Sequence, residues 1–216
     1  MLIGCIFGFL VVVMIGAASA DETDSQSSPA LPVESVSAVV VAAGADSLDT
    51  NAVGRLSAET PTGIERGTAF QLDDGRVASV AHVLLDARAA RADDQVVDLE
   101  SVTITRQHDL ASIAVDVWDH ALTASDVPVD VGTGVVMGGI PRDGRIAVIP
   151  GTVIARTSGV DYGIGRPDVY VLSATADLGW SGGPVVNADG EVVAIIVGVE
   201  TRTGVTLAVP IEYLPQ

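Results

Sequence analysis

Three short stretches carry residue types that could do nucleophilic chemistry. Gly179-Trp180-Ser181-Gly182-Gly183-Pro184 sets a serine among glycines, just ahead of Val185-Val186, which reads as a strand. A serine hydroxyl is a weak nucleophile at neutral pH and needs a base to take its proton. His82 follows the apolar run Val77-Ala78-Ser79-Val80-Ala81, so its imidazole sits at a strand end and fits that role. Asp109 opens the sequence Asp109-Leu110-Ala111, which predicts a strand start with buried neighbours. A carboxylate there, on the far ring nitrogen, would fix the tautomer and stabilise the imidazolium. The order His, Asp, Ser is one of the known solutions to this geometry. Glycines beside the serine permit a tight turn and the close approach of a substrate. The N–H groups of Gly179 and Ser181 are the candidate donors to a developing oxyanion.

Each assignment has rivals. Only three histidines exist, His82, His108 and His120. His108 adjoins the candidate acid, where neighbours on a strand face opposite ways; His120, beside Trp118 and Asp119, reads as a surface-loop residue. Asp98, Asp116 and Asp119 compete with Asp109 but lack the Leu-Ala context. Trp180 is either a packing residue flanking the cleft or a substrate contact. Asp73-Asp74 and Asp93-Asp94 read as solvated turns, and no carboxylate spacing matches a calcium loop.

The elements that must position these residues are short apolar runs separated by turn signals, an all-β pattern. Candidate strands are Val36–Val41, Thr68–Leu72, Val77–Val80, Val102–Arg106, Ser112–Val115, Val135–Gly138, Thr152–Ala155, Val169–Ser173, Pro184–Val186, Val192–Val197 and Val205–Val209. Asp73-Asp74-Gly75 and Asn187-Ala188-Asp189-Gly190 read as hairpin connections. A short helical turn follows His82 through Leu85 and Ala87. The pattern suits a barrel or sandwich, in two lobes joined around Thr123–Asp130. An α/β-hydrolase would need alternating helices and a Ser-acid-His order, and neither is present.

Composition narrows the classes further. The 216 residues are 48% hydrophobic but only 4% aromatic, so the core must be built from Val, Ala, Ile and Leu. The net charge of −17, with 11 basic residues that are all Arg, argues against nucleic acid as a partner. The one cysteine, Cys5, lies in the first apolar run. The rest of the chain therefore has no disulfide, thiolate zinc site or cysteine nucleophile, and neither a metal nor a cofactor is expected. Residues 1–20 read as a signal peptide ending in Ala18-Ser19-Ala20, or as a membrane anchor, since the run approaches the length that spans a bilayer. Residues 21–34 are polar with Ser and Pro, a disordered linker. The domain is expected in an extracytoplasmic compartment, secreted or periplasm-like, or held at the membrane by residues 1–20.

In register along the chain, these stretches resemble the trypsin-fold serine proteases, most closely the bacterial HtrA/DegP-type branch. The similarity rests on Gly67-Thr68-Ala69-Phe70, Ala81-His82-Val83, Asp109-Leu110-Ala111, Gly138-Gly139-Ile140-Pro141, Pro150-Gly151-Thr152-Val153-Ile154-Ala155, Ser181-Gly182-Gly183-Pro184-Val185-Val186-Asn187, Asp189-Gly190-Glu191-Val192-Val193 and Val205-Thr206-Leu207-Ala208-Val209-Pro210. The resemblance implies two perpendicular six-stranded Greek-key β-barrels with the active site in the cleft between them. Residues 35–216 would form the protease domain, the first barrel over about 35–125 and the second over about 128–216. Carried over residue by residue, the catalytic residues are His82, Asp109 and Ser181, with Gly179 and Ser181 as the oxyanion hole. The implied activity is a serine endopeptidase acting on protein or peptide substrates through an acyl-enzyme. The alternative is a catalytically inactive trypsin-fold peptide-binding module.

Two departures from the pattern stand out. Ala69 replaces a glycine, and Trp180 occupies the place where the family usually has Asp or Asn. The second argues against activation by a newly made N-terminus. No PDZ domain is expected after the closing strand. By resemblance, the substrate-pocket walls are Ser173–Leu178 and Ala194–Val199. The uncharged Thr175 then implies a small or apolar residue before the scissile bond.

Overall fold

Thirteen strands fall into two sheets among residues 43–142 and 144–216, which the computed structural model describes. The candidate strand Val36–Val41, the leader and the linker lie outside the described residues. The first lobe holds β1 (Val53–Thr60), β2 (Gly63–Gln71), β3 (Val77–Val80), the single helical turn α1 (Ala81–Leu84), β4 (Ala89–Ala92), β5 (Gln95–Val97), β6 (Val102–Thr105) and β7 (Leu110–Ile113). The second holds β8 (Gly134–Gly139), β9 (Ala147–Thr157), β10 (Val169–Leu172), β11 (Pro184–Val186), β12 (Val192–Glu200) and β13 (Val205–Pro210). In the second lobe β10-β13-β12-β11-β8-β9 closes into a six-stranded barrel. The first lobe is a curled seven-stranded sheet in the order β5-β4-β1-β2-β3-β7-β6. The all-β, two-lobed architecture expected from the sequence is present. Asp73–Gly75 joins β2 to β3, and Asn187–Gly190 joins β11 to β12, both as antiparallel hairpins.

Strands that carry the site are buried throughout. Every residue of β3 (Val-Ala-Ser-Val), β7 (Leu-Ala-Ser-Ile) and β8 (Gly-Val-Val-Met-Gly-Gly) is shielded from solvent. Continuous burial explains why these runs do not alternate with solvent-facing residues, although β3 and β7 each bury one serine, Ser79 and Ser112. Outer strands alternate instead: β4 buries Ala90 and Ala92 and turns Ala89 and Arg91 outward. Among the described residues, the largest fully buried side chains include two aromatics, Tyr170 and Phe70, beside Leu56, Leu72, Leu110, Ile113, Leu172 and Ile195. Each such aliphatic chain contributes about 1.5–3 kcal/mol on leaving water.

The connector stitches the lobes together. Leu122 donates its N–H to the Gln71 carbonyl (2.9 Å) and accepts from Asp73 N–H (3.0 Å). Just beyond it, the Thr123 carbonyl accepts from Val192 N–H and Ser125 N–H donates to the Val192 carbonyl, each at 2.8 Å. One short segment thus bonds to β2 of the first sheet and β12 of the second.

Candidate active site

The pairing of β3 with β7 brings His82 and Asp109 together. Their antiparallel register sets Val80 opposite Leu110, so the chain leaving β3 runs beside the chain entering β7. Ala81 N–H donates to the Asp109 carbonyl at 2.9 Å. The Asp109 side chain accepts the His82 main-chain N–H on Oδ1 (2.9 Å) and meets His82 Nδ1 with Oδ2 at 2.7 Å. Asp109 adopts a left-handed φ of 61°, a conformation that short polar side chains tolerate best. With Nδ1 donating to the carboxylate, Nε2 is left as the acceptor. His82 keeps 41% of its side chain exposed, whereas Asp109 keeps 5%. Burial pushes the Asp109 carboxyl up. The hydrogen bond from His82 and the charges of His82 and Arg166 outweigh it and hold the group below the ordinary carboxylate value.

Ser181 lies in the turn that enters β11. Gly183 N–H donates back to the Trp180 carbonyl (2.8 Å), and Gly182 and Gly183 exchange bonds with Ile196 of β12 (2.7 and 2.9 Å). Gly182 has φ of 90°, and a Cβ there would stand 2.1 Å from the Thr68 carbonyl oxygen; only glycine fits. β2 braces the turn from the first lobe. Thr68 N–H donates to the Ser181 carbonyl (2.8 Å), and Thr68 Oγ1 donates to the Gly179 carbonyl (2.8 Å) while accepting from Ile140 N–H (2.9 Å). The Leu178 carbonyl is held by Arg142 N–H at 3.0 Å, which turns the N–H of the same trans peptide, that of Gly179, the other way. Neither the Gly179 nor the Ser181 N–H has an acceptor among the described residues. The Ser181 hydroxyl likewise makes no hydrogen bond to His82 there, a contact that often tightens only when substrate binds.

Other candidates sit elsewhere. His108 stacks on Tyr213, with ring centroids 4.0 Å apart, and His120 pairs with Asp49 at 2.7 Å. Asp98 caps a turn by accepting from Glu100 N–H. Trp180 is 3% exposed in the second-lobe core and lies against Gly139, so it packs rather than meeting a ligand in the cleft. A cleft of about 300 Å³ beside Ser181 is lined by Ala176, Leu178, Ile196, Gly198 and Val199, with Asp177 at its exposed rim. Both expected wall segments contribute to it. Thr175 instead hydrogen-bonds the Gly204 carbonyl. Among the described residues no group of three or more His, Cys, Asp or Glu is arranged to hold a metal ion.

Two contributors were absent from the sequence reading. Thr68 lay inside a quoted motif without a role. Arg166, whose guanidinium contacts Asp109 at 2.8 Å, sits in a glycine-proline loop that gives no periodic signal.

Two β-lobes with a His–Asp pair on one and a glycine-flanked serine on the other define the trypsin-like class of fold. Solved structures agree: the Rv3671c protease from M. tuberculosis in its active form superposes with a TM-score of 0.66 at 24% identity, covering 89% of this chain and 90% of that one. The HtrA-type protease AlgW with a tripeptide gives 0.64 at 21%, covering 78% and 59%. Residues 67–195 match the trypsin-like peptidase domain, and the chain belongs to that family. Among curated relatives, the serine protease Rv3671c of Mycobacterium tuberculosis is 30% identical over 153 residues, 65% of this chain and 38% of that protein. A probable periplasmic serine endoprotease, DegP-like, of Rhizobium meliloti is 32% identical over 152 residues, 65% of this chain and 30% of that protein. The chain thus spans about a third of the length of the curated relatives it matches.

Proposed function

We propose that this protein is a serine endopeptidase in which Ser181, His82 and Asp109 act as nucleophile, base and orienting acid. The observation that carries the reading is the His82–Asp109 pair, joined at 2.7 Å between His82 Nδ1 and the carboxylate, which supports Nε2 as the base. In the proposed cycle His82 Nε2 takes the proton from Ser181 Oγ as the oxygen attacks the scissile carbonyl. The N–H groups of Gly179 and Ser181 receive the developing oxyanion. The imidazolium, steadied by Asp109, returns its proton to the leaving amine, and water then resolves the acyl-enzyme by the same steps in reverse.

Protein or peptide segments are the proposed substrates, in keeping with a relative solved with a tripeptide. The apolar cleft beside Ser181 favours a small or apolar residue before the scissile bond. The protease domain is assigned to 35–216, and an extracytoplasmic setting is inferred from residues 1–20 and from the periplasmic relative. The alternative is a catalytically inactive trypsin-fold peptide-binding module, which a turnover assay on an unfolded protein would separate from the enzyme.

A fluorophosphonate probe tests the assignment. The protein should be labelled at Ser181 and should cleave an unfolded protein, and Ser181→Ala should lose both properties. Labelling that survives the substitution sinks the nucleophile.

A further inference from the structure

Arg166 belongs to the second lobe, on the loop between the 3-10 turn Gly159–Tyr162 and β10. Its guanidinium reaches Asp109 Oδ2 at 2.8 Å, the same oxygen that meets His82 Nδ1. The loop is shaped to deliver this contact. Gly163 and Gly165 take φ of 76° and 61°. Gly159 N–H donates to the Arg166 carbonyl at 2.8 Å, and Ile164 N–H closes onto the Gly159 carbonyl at 3.1 Å. A Cβ on Gly159 would meet Ile164 at 2.8 Å and the Arg166 Cβ at 3.2 Å, so the turn is packed tightly enough to fix where Arg166 starts. The side chain is 26% exposed, and its Nε is buried without a hydrogen-bond partner among the described residues. A cation drawn out of water in this way interacts with a buried carboxylate much more strongly than a surface pair does.

We propose that Arg166 is a positioning residue for the reaction inferred above: it fixes the Asp109 carboxylate and, by sharing Oδ2, limits how strongly that oxygen holds the His82 imidazolium. The inference rests on the serine-endopeptidase reading. An oxygen already facing a guanidinium offers less to a second cation, so the protonated ring gains less from it. Asp109 is faced by His82 from α1 and by Arg166 from the second lobe. One step further out lie His108, stacked on Tyr213, and the Arg156–Asp168–Glu212 cluster. The acid of the first lobe is therefore held partly by the second.

Arg166→Gln and Arg166→Lys provide the test. In Arg166→Gln, kcat should fall roughly 10-fold with KM little changed. Removing the cation lets Asp109 hold the imidazolium more firmly, so the acid limb of the kcat/KM profile should move up by about half a pH unit. Arg166→Lys should restore most of both. In the Ser181→Ala background, the downfield proton on His82 Nδ1 should shift on Arg166→Gln and return with Arg166→Lys. An unmoved limb and an unmoved proton resonance overturn the proposal, even if activity falls through lost stability. A wild-type protein that takes no fluorophosphonate overturns the serine chemistry instead, and the proton resonance still decides whether Arg166 governs the pair.

Discussion

On the first-lobe side of the cleft, Asp109 holds His82 by ring and by main chain, and the Ala81 N–H binds the Asp109 carbonyl. On the second-lobe side, Ser181 is fixed through its backbone only: its carbonyl, those of Leu178 and Gly179, and its neighbours Gly182 and Gly183 are all engaged. Among the described residues its hydroxyl and the N–H groups of Gly179 and Ser181 are left open. The difference follows from what each half must do. The proposed base needs one tautomer and one orientation before substrate arrives, so its partner is internal and permanent. The proposed nucleophile and oxyanion donors must make their bonds to the substrate, and a donor already bonded within the protein would have to break that bond at the moment of reaction.

The comparison breaks most severely at Asp109. Asp109→Asn keeps the shape but presents an amide to His82 Nδ1 and removes the charge that Arg166 meets. We expect kcat to fall by roughly 10³–10⁴-fold, because the ring is then held in the wrong tautomer. Ser181 labelling should slow in parallel while the fold persists by circular dichroism. A loss under roughly 100-fold, about the least that general-base catalysis typically contributes, would mean that His82 does not depend on this carboxylate.

Thr68 probes the other half. Its hydroxyl spans the Gly179 carbonyl and the Ile140 N–H and is wholly buried. Thr68→Val strands both groups away from water, at a cost of about 2–3 kcal/mol. It also frees the Gly179 peptide that presents a proposed oxyanion donor, so kcat should fall on the order of 10- to 100-fold. The downfield His82 proton should stay where it is, since the first-lobe pair is untouched. If that resonance moves as far as in Arg166→Gln, the two halves are not held independently.

These particular residues also show what could be read from the chain and what could not. His82, Asp109 and Ser181 each stand next to a short strand that is buried along its whole length, and the Val80–Leu110 register brings His82 and Asp109 together. β3 and β11 were expected with the bounds they have. β1, β4 and β5 were not expected. β1 reads Val-Gly-Arg-Leu-Ser-Ala-Glu-Thr and β4 reads Ala-Ala-Arg-Ala, with alanine and charge where strand formers would be looked for. Tertiary pairing, Leu56 opposite Ala92 and Ala58 opposite Ala90, makes them strands. The bracing by Thr68 and the reach of Arg166 were invisible for a related reason. Both are contacts between lobes, between residues 68 and 179 and between residues 109 and 166, and no local pattern encodes such a pairing.

The smallest effect concerns how the Arg166 loop is rooted. Asp168, two residues beyond Arg166, accepts from Arg156 Nε at 3.1 Å, from Arg156 Nη2 at 2.6 Å and from Tyr213 hydroxyl at 3.1 Å. Arg156 also reaches Glu212 at 2.8 Å and lies 5.2 Å from the centre of the Tyr170 ring. The hydrogen bond from Arg156 comes first among the causes that hold the Asp168 carboxyl below its ordinary value, burial opposing it. A carboxylate depressed in the folded state contributes stability above its unfolded titration, near pH 4, and loses it as pH falls through the lower folded value. Asp168→Asn should therefore cost about 1 kcal/mol at neutral pH, a figure kept small because the pair is partly exposed. The gap between the denaturant midpoints of variant and wild type should close as the pH is lowered below about 4. A gap that stays constant from neutral to acid pH would mean that shape rather than charge roots the loop, and that the second lobe's hold on Asp109 through Arg166 does not depend on this ion pair.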